Sequence, residues 1–175
     1  MKSTGVLRRI DDLGRIVLPK EIRKNLRIRD GEHLEIFIDG DNIILKKHSL
    51  IDKISDIAVL CIKAVEDVIN AEIIITDRDK VIAASPELRE KYLEKEITND
   101  ISNIMMQREP KVIFEENKIN IINNNKEKGL HYFSPIMNTG DVIGMIIMKS
   151  KHNEITDYDK KMISFMGRII SNYIE

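Results

Sequence analysis

Hydrophobic and polar positions change period several times along the chain, and each change marks an element. VLRRI (6–10) and RIVL (15–18) flank the turn-forming run DDLG, a spacing that predicts a hairpin with Gly14 free to take a positive φ. Pro19 closes the second strand because it offers no N–H to a ladder, and its fixed φ suits the first position of a helix. PKEIRKNL (19–26) then sets Ile22 and Leu26 four apart on one helical face, leaving Lys20, Arg23, Lys24 and Arg27 on the others. A second hairpin follows: HLEIFI (33–38) alternates Leu34, Ile36 and Ile38 with His33, Glu35 and Phe37, DGDN turns the chain, and IILKK (43–47) returns.

In residues 50–70 the apolar positions Ile51, Ile54, Ala58, Cys61, Val65 and Val68 recur at spacings of three and four, which predicts a helix. Fewer than three heptads leaves two partners for its stripe equally open, its own domain or a second chain. Beyond it the pattern predicts strands at 71–76 and 81–85, a helical region over about 87–107, and strands near 111–114, 118–122, 130–137 and 141–149. The polar run 120–129 reads mostly as loop. Thr156 is an N-cap with Asp157 and Asp159 in the first turn of a last helix, whose stripe is Met162, Met166, Ile169 and Tyr173. Helices and strands in this order argue for an α+β protein with an antiparallel sheet and no internal repeat. The expected divisions are 1–49, a joining helix at 50–70, and 71–175.

The first division is too short to bury a core alone, since domains below about 40 to 60 residues usually need disulfides, metal or a partner. It has no cysteine and no metal-ligand spacing, so oligomerisation is the remaining device and an obligate dimer is expected there.

Charge sharpens the picture. Residues 1–29 hold nine Lys or Arg against three acids, a charge of +6, so the other 146 residues carry −7 within a total of −1. A basic surface on an acidic body points to an anionic partner. The cations are unbalanced by neighbouring acids, Arg predominates with a planar fork that matches phosphate and guanine edges, and a dimer would duplicate the array. Duplex DNA carries a charge about every 1.7 Å of axis, so double-stranded DNA suits such an array better than a small anion.

Signals for catalysis are missing from the sequence. His33, His48, His131 and His152 are scattered without metal spacing, and no phosphate loop, dinucleotide fingerprint or nucleophile elbow occurs. The expectation is a non-enzyme with no metal and no cofactor. Cys61 is the sole cysteine, by default a small buried hydrophobe. No apolar run approaches the roughly 18 residues of a membrane span, and MKSTGVLRRI has no signal-peptide core, so a cytoplasmic location is expected.

Residues 4–39, TGVLRRIDDLGRIVLPKEIRKNLRIRDGEHLEIFID, resemble the AbrB-type swapped-hairpin DNA-binding domain, whose hallmark is a GRIVLPKEIR-like run followed by a strand of the form GEHLEI. The resemblance implies a β-barrel of interleaved hairpins from two chains, with DNA contacts at Arg8, Arg15, Arg23 and Lys24 and Arg9 as their neighbour. Lys24 departs from the Arg common at that position, and a lysine lacks the bidentate fork. The run DVIGMIIMKS followed by an acid-started helix is similar to the end of GAF domains. That likeness implies an antiparallel sheet with flanking helices, an unidentified small ligand for which no residue is specified, and a homotetramer assembled through GAF and joining helices. RRIDDLGR with such a second domain resembles sporulation regulators, which implies a nucleoid-associated activator and repressor of forespore genes. Two other roles remain: a ligand-sensing oligomer without DNA contact, and an antitoxin. The swapped-hairpin fold also serves antitoxins, but those carry a disordered tail where this chain has a long patterned domain.

Overall fold

The computed structural model describes residues 5–26, 28, 30–31, 34–47, 51–113, 119–123 and 125–174. Expectations for Arg27, Arg29, His33 and His48, and for the strand ends at Phe114 and Lys118, lie outside the described residues. The chain divides into two compact units, Met1–Ser49 and Leu50–Glu175.

In the first unit, helix α1 (Lys20–Asn25) follows Pro19, and strands β1 (Leu34–Asp39) and β2 (Asn42–Lys47) form an antiparallel hairpin in which Ile38 faces Ile43 and Ile36 faces Leu45. The expected ladder between 6–10 and 15–18 does not form within the chain; only its turn closes. The Asp11 N–H donates to the Arg15 carbonyl (3.2 Å) and the Gly14 N–H to the Asp11 carbonyl (2.9 Å), with Gly14 at φ +76°. Among the described residues of this unit, the hairpin's apolar side chains are left largely uncovered. Pro19 is the one buried residue among those described in this unit, while Leu7 is 91% exposed and Ile38 82%.

The second unit is a three-layer body. Its sheet contains β3 (Ala71–Thr76), β4 (Val81–Ala84), β5 (Lys111–Ile113), β8 (His131–Asn138) and β9 (Asp141–Ser150) in the order β4-β3-β9-β8-β5, antiparallel throughout. Helices α2 (Ile51–Ile69) and α5 (Asp157–Ile174) cover one face, and α3 (Pro86–Tyr92) and α4 (Asn99–Met106) the other. Because both faces are covered, strands read as apolar runs instead of alternating. On β3, Ile73 and Ile75 join the α2/α5 core while Ile74 between them joins the α3/α4 core; β9 repeats this with Ile146 and Met148 against Met145 and Ile147. Gly144 lets β9 pass β3 closely, since a Cβ there would lie 2.2 Å from the Thr76 carbonyl oxygen.

Three expectations are corrected in this unit. The helical region 87–107 is two helices: Glu94 takes φ +62° in a turn, and residues 95–97 then run beside the start of β4, with bridges from Glu96 to Lys80 and from Ile97 to Ile122. Those partners lie far along the sequence, beyond the reach of local periodicity. The last helix begins as expected, with a reciprocal cap in which the Asp159 N–H donates to Thr156 Oγ1 (3.2 Å) and the Thr156 N–H to Asp159 Oδ2 (2.8 Å). Of its expected stripe, Met166 is buried and Met162 and Ile169 pack partly buried against the core, but Tyr173 is exposed and the fully buried line runs through Ile163, Met166 and Ile170. The apolar arc of α5 is wider than the sheet it meets, and the sheet takes the edge one residue along. Finally, the expected loop 120–129 holds buried Ile121 and Ile122, beside the short pair β6 (Ile119–Asn120) and β7 (Lys126–Glu127).

The open question about 50–70 has a direct answer for one face. Ile54, Ala58, Cys61, Ile62 and Val65 of α2 pack into the body's own core, and Val68 points outward with Leu60.

Candidate nucleic-acid interface

The turn at 11–15 is built around one carboxylate. Asp11 Oδ1 accepts the N–H groups of Leu13 (3.1 Å) and Arg15 (2.8 Å), the geometry by which aspartate mimics a backbone turn. Its second oxygen accepts the Arg15 Nε–H at 2.8 Å. These donors, the Arg15 amide first and its guanidinium next, hold the Asp11 carboxyl below its usual range. Arg15 itself stays 72% exposed along its side chain.

Arg8 is exposed and donates from Nη1 to the Leu7 carbonyl (3.1 Å), and Arg9 beside it is exposed as well. Arg23 sits in the last turn of α1 with Lys24, where cations complement the carbonyl end of a helix. Arg23 Nη1 meets Asp30 Oδ1 at 2.5 Å, and Asp30 is almost fully exposed. The cations are therefore less isolated than charge counting implied, since Arg15 and Arg23 each hold a carboxylate. The Arg23–Asp30 pair is exposed and therefore weak, so a phosphate can replace Asp30. Asp11 and Asp30 were missed as site residues. A signal for Asp11 existed, an Asp four residues before an Arg across a Gly turn, whereas nothing in the sequence marks Asp30.

The body offers little chemistry. Among the described residues no three His, Cys, Asp or Glu side chains are grouped to hold a metal, and no helix is long and apolar enough to cross a membrane. Cys61 lies in the α2/α5 core, and burial pushes its thiol up and away from thiolate chemistry. Asp77 is the buried carboxyl: Oδ1 accepts the N–H groups of Asp79 and Lys80 at 2.6 Å each, while Oδ2 has no hydrogen-bond partner. Burial pushes this carboxyl above its usual range despite those two donors.

Comparison with known proteins decides the family. The chain is 36% identical to stage V sporulation protein T of Bacillus subtilis (strain 168) over 177 residues, spanning 100% of this chain and 99% of that protein. Residues 53–175 match the family described as stage V sporulation protein T C-terminal, transcription factor. The chain belongs to the stage V sporulation protein T family. As in the sequence reading, the first unit of this family member is AbrB-like: it is 52% identical over 48 residues to the transition state regulatory protein AbrB of Bacillus subtilis (strain 168), covering 27% of this chain and 50% of that protein. Residues 7–52 also match the family described as antidote-toxin recognition MazE, bacterial antitoxin.

The body shares its fold with the GAF domain/HD domain protein from Geobacter sulfurreducens (TM-score 0.58, 10% identity, 74% of this chain and 96% of that chain). It also matches a type II free methionine-R-sulfoxide reductase from Thermoplasma acidophilum (TM-score 0.56, 12% identity, 72% and 95%). At such identities the likeness is one of fold alone, and the reductase's chemistry is not carried over to this stage V sporulation protein T family member. The GAF-like sheet with flanking helices is as the sequence implied.

Proposed function

We propose that this chain is a sporulation transcription factor that grips double-stranded DNA through Arg8, Arg9, Arg15, Arg23 and Lys24, presented twice by a homodimer of residues 1–49. The observation that carries this reading is the first unit's surface. Its cations stand among Leu7, Ile10, Leu13, Ile16, Val17 and Ile38, large apolar side chains exposed in the single chain. An apolar surface of that extent is an interface, and the swapped-hairpin dimer of the AbrB class covers it. Recognition leans on phosphate contacts and on DNA deformability, because α1 has six residues and cannot serve as a long recognition helix.

The finer proposals follow from the same reading. Residues 50–70 and the last helix turn a second apolar face outward, with Leu60 and Val68 on α2 and Tyr158, Phe165 and Tyr173 on α5. These faces pair the dimers into a homotetramer, so residues 50–70 serve both the core of the 71–175 body and assembly. The protein acts in the cytoplasm at the forespore nucleoid, as activator or repressor according to promoter, and the GAF-like body holds an unidentified small ligand. The match of residues 7–52 to antitoxins favours one rival, which co-purification of a small toxin would support. The test of the main reading is Arg8→Ala, which removes an exposed cation whose guanidinium donates to the Leu7 carbonyl. It weakens duplex binding about tenfold and leaves thermal stability and assembly unchanged; equal affinity would exclude Arg8 from the grip.

A further inference from the structure

We propose that Asp11 is a positioning residue for DNA readout: by holding Nε of Arg15 it presents the two terminal nitrogens of that guanidinium end-on to the duplex, and so sets sequence preference more than affinity. This deepens the DNA-binding reading above and rests on it.

Three bonds to one carboxylate carry the inference. Two of them, from the Leu13 and Arg15 amides, fix the carboxylate to the backbone of the turn. The third, at 2.8 Å to Nε, fixes one edge of the Arg15 guanidinium to that carboxylate. A guanidinium is planar, so an anchor at Nε leaves Nη1 and Nη2 as a fork of defined direction, the geometry that matches guanine O6 and N7 in the major groove. All three bonds lie within five residues, so completion of the hairpins by a second chain need not disturb them. The Arg23–Asp30 contact differs in kind. It is a single point contact at a terminal nitrogen, from a carboxylate that is nearly fully exposed, and it directs no fork.

The sign of the effect separates this role from simple electrostatics. Asp11 is an acid on a DNA-facing surface, so removing its charge by itself tightens binding to every duplex. Positioning predicts a loss of preference for the right duplex over the wrong one.

The test uses the full chain, a duplex selected by the wild-type protein from a random-sequence pool, and its scrambled counterpart, with affinities measured at one salt concentration. Asp11→Asn retains an oxygen for the turn amides and lacks the charge that holds Nε. It lowers the ratio of selected to scrambled affinity about tenfold, while scrambled-duplex affinity stays equal or rises. In the Arg15→Ala background the same substitution leaves the ratio unchanged. Arg15→Lys, which leaves the turn's acceptors in place and keeps the charge, lowers the ratio as Asp11→Asn does and covers the case in which the asparagine variant unfolds. An unchanged ratio in Asp11→Asn or Arg15→Lys, or an equal fall in the Arg15→Ala background, overturns the positioning role. Failure of the wild-type chain to enrich any duplex overturns the DNA reading itself, which is a different result.

Discussion

Ile38→Asp is the substitution on which a monomeric first unit and a dimeric one disagree most. In the single chain Ile38 is 82% exposed, facing Ile43 across the hairpin with the similarly exposed Ile36 on the same side of the strand. If this unit worked as a monomer, a polar residue there would change stability by no more than about 0.5 kcal/mol, as at most surface positions. If two chains bury this face together, each loses the burial of an isoleucine, about 1.5 to 3 kcal/mol. The dimer then loses roughly 3 to 6 kcal/mol, before any penalty for the two carboxylates placed in its core. At about 1.4 kcal/mol per tenfold, that is roughly two to four orders of magnitude in the dimer dissociation constant. The assay is the mass distribution of the full chain from micromolar to nanomolar concentration, with chemical unfolding alongside. The result expected from the proposed assembly is a dimer of dimers for the wild type, and for Ile38→Asp dimers joined through their GAF-like bodies. An unchanged distribution over the whole range, with unchanged unfolding, refutes the buried-face argument.

Two further substitutions probe the body. Gly144→Ala places a Cβ 2.2 Å from the Thr76 carbonyl oxygen, a backbone atom that can yield only by opening the β3–β9 pair, so the body loses about 3 kcal/mol in urea unfolding; a change within 0.5 kcal/mol would mean the strands separate freely there. Asp77 titrates in the direction opposite to an ion-paired acid: burial raises its carboxyl above the usual 3.8, so the stability present below that value is lost as pH rises through the raised one. Asp77→Asn consequently raises the melting temperature at neutral pH, by a margin that shrinks toward zero as pH falls to about 4, and a benefit of the same size at both pH values would contradict the cause assigned.

How far the sequence could be read depended on the range of the forces involved. The strands of the body were legible because AEIIIT and VIGMIIM are apolar on both faces, and the final helix because Thr156 and Asp159 cap it within four residues. The bridged stretch 95–97 was not, because its bridges reach Lys80 and Ile122, and a helical apolar period continues through it regardless. On α5 the sequence shows an arc that includes both Ile163 and Met162, and only the packing against the body decides that Ile163 is fully buried and Met162 partly so. At the interface the cations were legible as residue types, since +6 in 29 residues survives any local pairing. Their carboxylate partners were not. Asp11 reads as an ordinary turn former, and its third bond, to Nε, is a matter of side-chain direction that residue type does not carry.

The central claim, a doubled cationic grip on duplex DNA, is tested most directly by the salt dependence of binding by the full wild-type chain to its selected duplex. With about 8 phosphates neutralised by the paired units, log affinity falls against log salt with a slope of roughly −7. That slope, together with a preference over the scrambled duplex that persists as salt rises, is the predicted result. A slope near zero, or no duplex binding at moderate salt, would contradict the claim and leave the arginines as a solvated rim around the dimer.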